Sequence, residues 1–502
     1  MPKKSTGYNT DDKLLSVMAN SFFFYDLETS GFSPRSARVM QFGGQRTDMD
    51  LKPVGDPVNI LIKLTPDVLP SPDAIMITGI TPQQTLADGM TEAEFLKFFY
   101  DEIVRPGTIF IGYNSIRFDD EFMRFFNYRN FYDAYEWQWK DNCSRWDLLD
   151  VVRMTRALRP DGIEWPFAPD GKPANRLEYL TTVNKLPHSD AHDALSDVLA
   201  TIEVAKLIKK NQPKLFKWLL DTRAKRVVAE LVEAKEPFVY TSGKYSSEYL
   251  HTTVTVRLGQ HPERDAALIY DLRADPTPFL KMSVDELAEA WKFTQDPEAI
   301  RLPIKTLKYN RCPAVAPLGV ISDKEVQKRL SLDMAAINRH LGILRENQES
   351  FGQKVAQAVG RLDRQQAQAQ TGLIDDPMTA DERLYEGFIS DADKSAMRAV
   401  RAASPDELGD MADSLNDPRL KNLLPLYKAR NYPDYLSSEE RAKWEEFCRS
   451  KLLTGGNDSR LAKYFARLEE LAADKDLPKQ KRYLLEELKL YGESIIPADA
   501  DG

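Results

Sequence analysis

Three domains in series are expected from this sequence. They are an α/β domain over residues 21–207, a small β-rich domain over 213–362 and an all-α C-terminal domain over 380–502, with a polar N-terminal extension (1–20) and a linker (363–379). Three observations carry that expectation. From Asn20 to about Leu207, strand-like runs alternate with helical apolar spacing, the pattern of a mixed sheet flanked by helices. From about Gln212, short β-rich runs divided by Gly, Pro and Asp take over. Beyond 380 the chain is charged and leucine-rich, with almost no β-rich run.

The first strand is the aromatic run Ser21 to Tyr25, which ends in Asp26, with Glu28 two residues on. Residues i and i+2 of a strand share a side, so the two carboxylates project together, tolerable when a cation sits between them. The bland alternative is a strand end that happens to hold two acids. A second strand-like run, Thr108 to Asn114, leads through Phe118 to Asp119 and a helix expected from about Glu121. Asp119 therefore lies at a strand-to-helix junction, a usual place for catalytic groups in α/β folds, or else is a helix N-cap. Asp120 and Glu121 complement the helix dipole under either reading.

Ala194, Leu195, Val198, Leu199, Ile202 and Ala205 recur at helical spacing, placing Asp197 on an amphipathic helix whose apolar stripe faces a core. His192 falls in its first turn or just before it. Taken alone it reads as structural or solvated; beside a metal cluster, a neutral imidazole can take a proton from a water at physiological pH. Four carboxylates and one imidazole, in this order, are the parts of a two-metal phosphodiesterase.

Further along, Phe238–Thr241, Thr253–Val256, Ala267–Leu272 and Ile304–Asn310 read as short strands of a small barrel or sheet. Gln365 to Thr379 is rich in Gln, Ala and Asp without an apolar period and reads as linker. Charge runs such as Glu439-Glu440-Arg441 read as solvated faces.

Together the three segments resemble the DEDDh 3′–5′ exonucleases, whose Asp-x-Glu, Asn-x-x-x-(Phe/Tyr)-Asp and His-x-Ala-x-x-Asp pattern is met residue for residue. Gly112-Tyr113-Asn114, Arg117 to Glu121, Tyr128 to Asp133, Ser144 to Asp150 and Ala157 to Pro160 narrow the resemblance to the bacterial exodeoxyribonuclease I family. Gln212 to Phe216, Ile343 to Asn347 and Leu384 to Asp393 extend it over nearly the whole chain. It implies a ribonuclease-H-like exonuclease domain, an SH3-like second domain and a helical third.

By the same resemblance Asp26, Glu28 and Asp197 hold one Mg²⁺, and Asp26 with Asp119, directly or through water, a second roughly 4 Å away, with Mn²⁺ able to substitute. His192 takes the proton of the attacking water. The implied activity is processive 3′ to 5′ degradation of single-stranded DNA to nucleoside 5′-monophosphates, in DNA repair and recombination. Aromatic residues between Arg117 and Arg159 interleave with arginines, the recipe for stacking unpaired bases and following phosphates, though most of the aromatics are expected in the core. The resemblance implies Arg124, Trp139, Arg153 and Arg176 as strand contacts, with Glu28 and the Leu27 and Thr29 backbone near the 3′-terminal nucleotide. It also implies binding of the acidic tail of single-stranded-DNA-binding protein through Trp218 and Arg345, with Ser322 standing where a basic residue is expected. A superfamily relative that trims RNA or proofreads for a polymerase, and a strand-binding protein without chemistry, are the competing readings. The second usually lacks an acid or the His, and none is missing.

Composition bounds the rest. A chain of 502 residues, 42% hydrophobic, can bury more than one core. A net charge of −9 is unusual for a protein that binds DNA through its whole surface, and a basic channel in an acidic shell would reconcile the two. Cys143, Cys312 and Cys448 form no Cys-x-x-Cys pair, so neither a disulfide framework nor a zinc site is indicated and a reducing cytoplasm fits. No apolar run spans a membrane, Met1 to Asp12 lacks a signal-peptide core, and no heptad seam demands a dimer, so a soluble cytoplasmic monomer is expected.

Overall fold

The structure, a computed structural model, describes residues 20–188, 192–292, 296, 299–370 and 377–496. All but the last residue of the expected N-terminal extension, and residues 371–376 of the expected linker, lie outside the described residues. The chain divides into two compact units, one built from the residues up to 144, 188–199 and those from 375 onward, the other from 145–187 and 200–374. Compactness thus follows a different cut from the three domains expected in series.

In the first unit, strands β1 (Ser21–Thr29), β2 (Val39–Thr47), β3 (Val58–Leu61) and β4 (Thr108–Gly112) run in the order β3-β2-β1-β4. β1 pairs antiparallel with β2 and parallel with β4. β1 carries both acids, as the sequence implied. The β2 ladder carries it through Asp26 and Glu28 to a bulge at Glu28/Thr29, because backbone pairing is indifferent to the charge on the side chain. Phe23, Tyr25 and Leu27 face a core with Phe42, Phe95 and Phe126. Alternation therefore puts Asp26 and Glu28 on the opposite side of the sheet, in line with Phe22 and Phe24.

Helix α1 spans Asp119–Arg129 and begins two residues before the sequence suggested. Its N-cap is Phe118, so the N-cap alternative for Asp119 falls away. Helix α2 spans Ala194–Asn211. Ala194, Val198, Ile202 and Ala205 are buried as expected, but Leu195 is only half-buried and Leu199 is 44% exposed, so the apolar stripe is narrower than the spacing implied.

The C-terminal part is helical, with helices at Asp391–Ala402, Pro418–Asn431, Ser438–Leu453, Arg460–Ala472 and Lys479–Ser494. Two apolar clusters join it to the sheet portion: Phe125, Tyr128 and Phe131 with Leu420, Leu423 and Leu424, and Met40 and Ile75 with Tyr464 and Leu488. Between them lies a buried ion cluster. Arg430 spans Asp67 (2.7 Å) and Asp381 (2.8 Å), Arg38 reaches Asp381 at 2.7 Å, and Lys451 reaches Asp67 at 2.6 Å. Burial alone would raise both carboxyls, but Arg430, Lys451 and Arg38 outweigh it and hold Asp67 and Asp381 well below the usual carboxylate range. In the run read as a solvated face, Glu440 instead closes a capping box with Ser437 and binds Lys428 at 2.7 Å.

After β5 (Ser144–Asp147), the second unit carries a five-stranded antiparallel sheet of β6 (Phe238–Thr241), β7 (Thr252–Gln260), β8 (Ala266–Asp271), β9 (Ile304–Lys308) and β10 (Ala314–Pro317), in the order β10-β6-β7-β8-β9. The first four match the expected runs closely, and β10 was not foreseen. Val228, Phe238, Ile269 and Val315 share its core. Helix α3 (Met334–Gln370) runs into the segment read as linker. Gln and Ala are strong helix formers, so the lack of an apolar period there did not prevent a helix.

Asp381→Ala is expected to strip the common partner from Arg38 and Arg430 and cost about 3–5 kcal/mol, read by urea unfolding. Because the folded values of Asp67 and Asp381 lie below the unfolded ones, the cluster stabilises fully above about pH 4 and that contribution is lost as pH falls further. The wild type should therefore lose stability steeply below about pH 4, and Asp381→Ala less so.

Candidate active site

The ladder between β1 and β2 sets the site. Asp26 lies opposite Gly43 and Glu28 opposite Gln41. A Cβ at Gly43 would stand 2.4 Å from the Ala194 carbonyl carbon and 2.5 Å from the Leu195 nitrogen. Only glycine lets the start of α2 settle on β2 directly across from Asp26. Gln41 fastens the same turn from the next position on that face. Its Nε2 donates to Asp193 Oδ2 (2.8 Å), and its Oε1 accepts from the Ala194 amide (3.1 Å). Asp193 Oδ1 in turn accepts from the Ser196 amide (3.0 Å), an N-cap interaction that leaves Asp197 in the first turn. His192 precedes the helix with φ +69°, a left-handed conformation that histidine adopts more readily than most residues.

The third element is the β4–α1 turn. Tyr25, on the core side of β1, donates to Asp120 Oδ1 at 2.5 Å, which anchors the first turn of α1 while Asp119, 3% exposed, joins the acids on β1. Electrostatics show the gathering of charge. Burial, then Asp119, Asp197 and Asp193, drive the Asp26 carboxyl well above its ordinary value. Burial, then Asp26, Asp197 and Asp193, push Glu28 up to about 10. Ligand atoms of Glu28, His192 and Asp197 all lie within 4.8 Å of one another. A crowded set of carboxyl groups, two of them raised by burial and by their neighbours, fits a hard divalent cation.

The structure thus brings together Asp26, Glu28, Asp119, His192 and Asp197. Leu27 and Thr29 flank Glu28, and the Thr29 hydroxyl donates to the Gly31 carbonyl (2.8 Å). Trp139 is 62% exposed, whereas Phe122, Phe125, Phe126, Tyr128 and Trp137 are core. Arg124, which the resemblance implies as a strand contact, lies on α1. It is 5% exposed, paired with Glu121 at 2.5 Å and seated over Tyr135, while Glu121 also accepts from the Tyr385 hydroxyl. These contacts brace the first turns of α1 around it.

In the second unit Arg153 pairs with Asp150 at 2.6 Å, and Arg176 is exposed at the N-cap of Leu177–Val183, over Tyr179. Trp218 donates its indole N–H to the Val315 carbonyl (2.8 Å), Arg345 pairs with Glu236 (2.9 Å), and Ser322 is exposed. Sequence reasoning passed over Gly43, Gln41, Asp193 and His188. His188 alone carried a signal, the spacing His-x-x-x-His with His192, and its Nε2 lies 2.6 Å from Asp197 Oδ1.

Such a cluster on the face of a mixed sheet, carried by an interior strand, is that of a nuclease that works through divalent cations. Consistently, residues 23–205 match the family described as Exonuclease, 223–361 the Exonuclease I SH3-like domain and 378–495 the Exonuclease I C-terminal domain. Escherichia coli exodeoxyribonuclease I is 38% identical over 95% of this chain and 98% of its own length. The zinc-bound form of the E. coli ExoI–ssDNA complex superposes with a TM-score of 0.88 at 36% identity, over 96% of this chain and 100% of that one. An ExoI/SSB-Ct complex superposes with a TM-score of 0.86 at 37% identity, over 96% and 100%. The chain belongs to the exodeoxyribonuclease I family and is a DNA-hydrolysing exonuclease. Among the described residues no helix is long and apolar enough to cross a membrane.

Because Glu28 holds its proton at neutral pH until a cation displaces it, Mg²⁺ binding at pH 7 should release protons. Calorimetry in buffers of differing ionisation enthalpy measures the number. Gly43→Ala should leave far-UV circular dichroism intact and lower kcat by about 100-fold, since the start of α2 must move away from Asp26 by a fraction of an ångström or more.

Proposed function

We propose that this exodeoxyribonuclease degrades single-stranded DNA processively from the 3′ end, releasing nucleoside 5′-monophosphates, with Mg²⁺ held by Asp26, Glu28, Asp119 and Asp197 and with Mn²⁺ able to replace it. The observation that carries the reading is the proton-holding carboxylate cluster with His192 at its edge. Bound there, a divalent cation supplies Lewis-acid polarisation of the scissile phosphate and a more acidic attacking water.

The chain's own residues do the rest. Asp26 and Glu28, rigid on a paired strand, fix where the phosphate sits, and Asp197 and Asp119 close on it from two helix starts. His192, whose ring the left-handed turn presents at the edge of the cluster, accepts the proton of the attacking water on a ring nitrogen. The Leu27 and Thr29 backbone lies where the terminal nucleotide would be held. Exposed Trp139 offers a face for stacking. Arg176, exposed, and Arg153, paired with Asp150, are the further candidate contacts to phosphates. The E. coli relative's complex with single-stranded DNA supports this substrate. The ExoI/SSB-Ct complex supports a partner in the acidic tail of single-stranded-DNA-binding protein, for which Arg345 and Trp218 are the candidate contacts. The work would be done by a monomer in the cytoplasm, in DNA repair and recombination.

On a 5′-labelled single strand in Mg²⁺, stepwise 3′ shortening is expected, with matched duplex and RNA spared. Asp197→Ala should abolish it, and His192→Ala should slow it by about 10²–10⁴-fold while strand binding persists. Preferential cleavage of RNA would move the substrate class, and tight binding without cleavage by the wild type would leave a strand-binding protein.

A further inference from the structure

His188 stands outside the five residues of the site, yet its side chain is 5% exposed and its Nε2 lies 2.6 Å from Asp197 Oδ1. A carboxylate only accepts, so the imidazole donates through Nε2 in this pair. That distance is short for a nitrogen donor, as charge-assisted bonds are. The contact bears on one oxygen of a carboxylate that has two, and the acid belongs to the group whose ligand atoms converge with those of Glu28 and His192.

We infer that His188 is a positioning residue for the reaction: it holds Asp197 Oδ1 and so turns the carboxylate toward Glu28 and His192, setting how tightly the site takes a divalent cation. The inference rests on the reading of Asp197 as a cation ligand. On the first turn of α2 an Asp side chain can rotate about two bonds, and Gln41 restrains only the backbone and Asp193 beside it. A histidine donating to a ligating carboxylate is a recurring way to orient and tune metal ligands, and its loss typically costs about 10–100-fold in metal affinity. His188 is no rival to His192 as proton acceptor, because its Nε2 is committed to Asp197 whereas His192 is exposed.

Mg²⁺-dependent thermal stabilisation of the full chain, without DNA, reads metal binding apart from activity. His188→Ala should raise the half-saturating Mg²⁺ concentration by about 10–100-fold, and His188→Gln, which keeps an N–H donor, should recover most of that. With DNA present, kcat at saturating Mg²⁺ should fall far less than the midpoint moves, and the His192 limb of the pH profile should stay in place. Should the Ala variant fail to fold, His188→Met fills similar volume without a donor and is expected to behave as Ala. An unchanged or tighter Mg²⁺ midpoint in these variants, with Asp197→Ala still abolishing the stabilisation, overturns the inference alone. Stabilisation that survives Asp197→Ala overturns the assignment of Asp197 as a ligand, and the inference with it. A lost pH limb in His188→Gln overturns it by making His188 a proton carrier.

Discussion

Mutual repulsion among buried carboxylates is the constraint around which the first unit is arranged. Two unit charges about 4 Å apart repel by about 4 kcal/mol at an effective dielectric of 20. Keeping an ordinary carboxyl protonated at pH 7 costs a similar amount, about 1.4 kcal/mol per pH unit above its pKa. Burial raises both carboxyls first, and with several charged neighbours added to it Asp26 and Glu28 keep their protons. A fold that holds such a group together must supply the opposing stability elsewhere.

It does so mainly through apolar packing and backbone geometry. Asp26 and Glu28 ride on a strand locked on both edges, with Phe23, Tyr25 and Leu27 buried on its other face. The strand therefore cannot twist the acids apart without opening its core. Gly43 and Gln41 bring the start of α2 down on that strand, and the Tyr25–Asp120 bond does the same for α1. Each device uses a neutral contact to impose a charged one.

The chemistry of the site was legible because it resides in residue types at short spacings: Asp-x-Glu, the Asp after Phe118, and the His and Asp around Ala194. Element boundaries were less so. Helical spacing pointed to a start at about Glu121, but the helix begins at Asp119. The Gln- and Ala-rich segment looked like linker because apolar period was the criterion, whereas helix propensity decided the outcome. β10, Ala314–Pro317, is too short and too plain to stand out. The surroundings of Arg124 were not legible either: its partner Glu121 is bonded by Tyr385, and a local window of sequence cannot register a partner more than 250 positions away. The ion cluster has the same invisibility, since Arg38, Asp67, Asp381, Arg430 and Lys451 are each unremarkable alone.

Two groups of buried acids in one unit thus have opposite fates. Asp67 and Asp381 are met by Arg38, Arg430 and Lys451, and their carboxyls are pulled down. The influences on Asp26 and Glu28 are burial and other carboxylates, all of which push up. An arginine beside Asp26 would relieve the repulsion at once, but it would be permanent, and its planar fork would fill the space a phosphate needs. A cation taken from solution relieves the same repulsion and leaves coordination positions for substrate. Under the proposed function the difference between the two groups has a purpose: one needs a fixed charge to hold the C-terminal helices to the sheet, the other a charge that can also bind the strand's end.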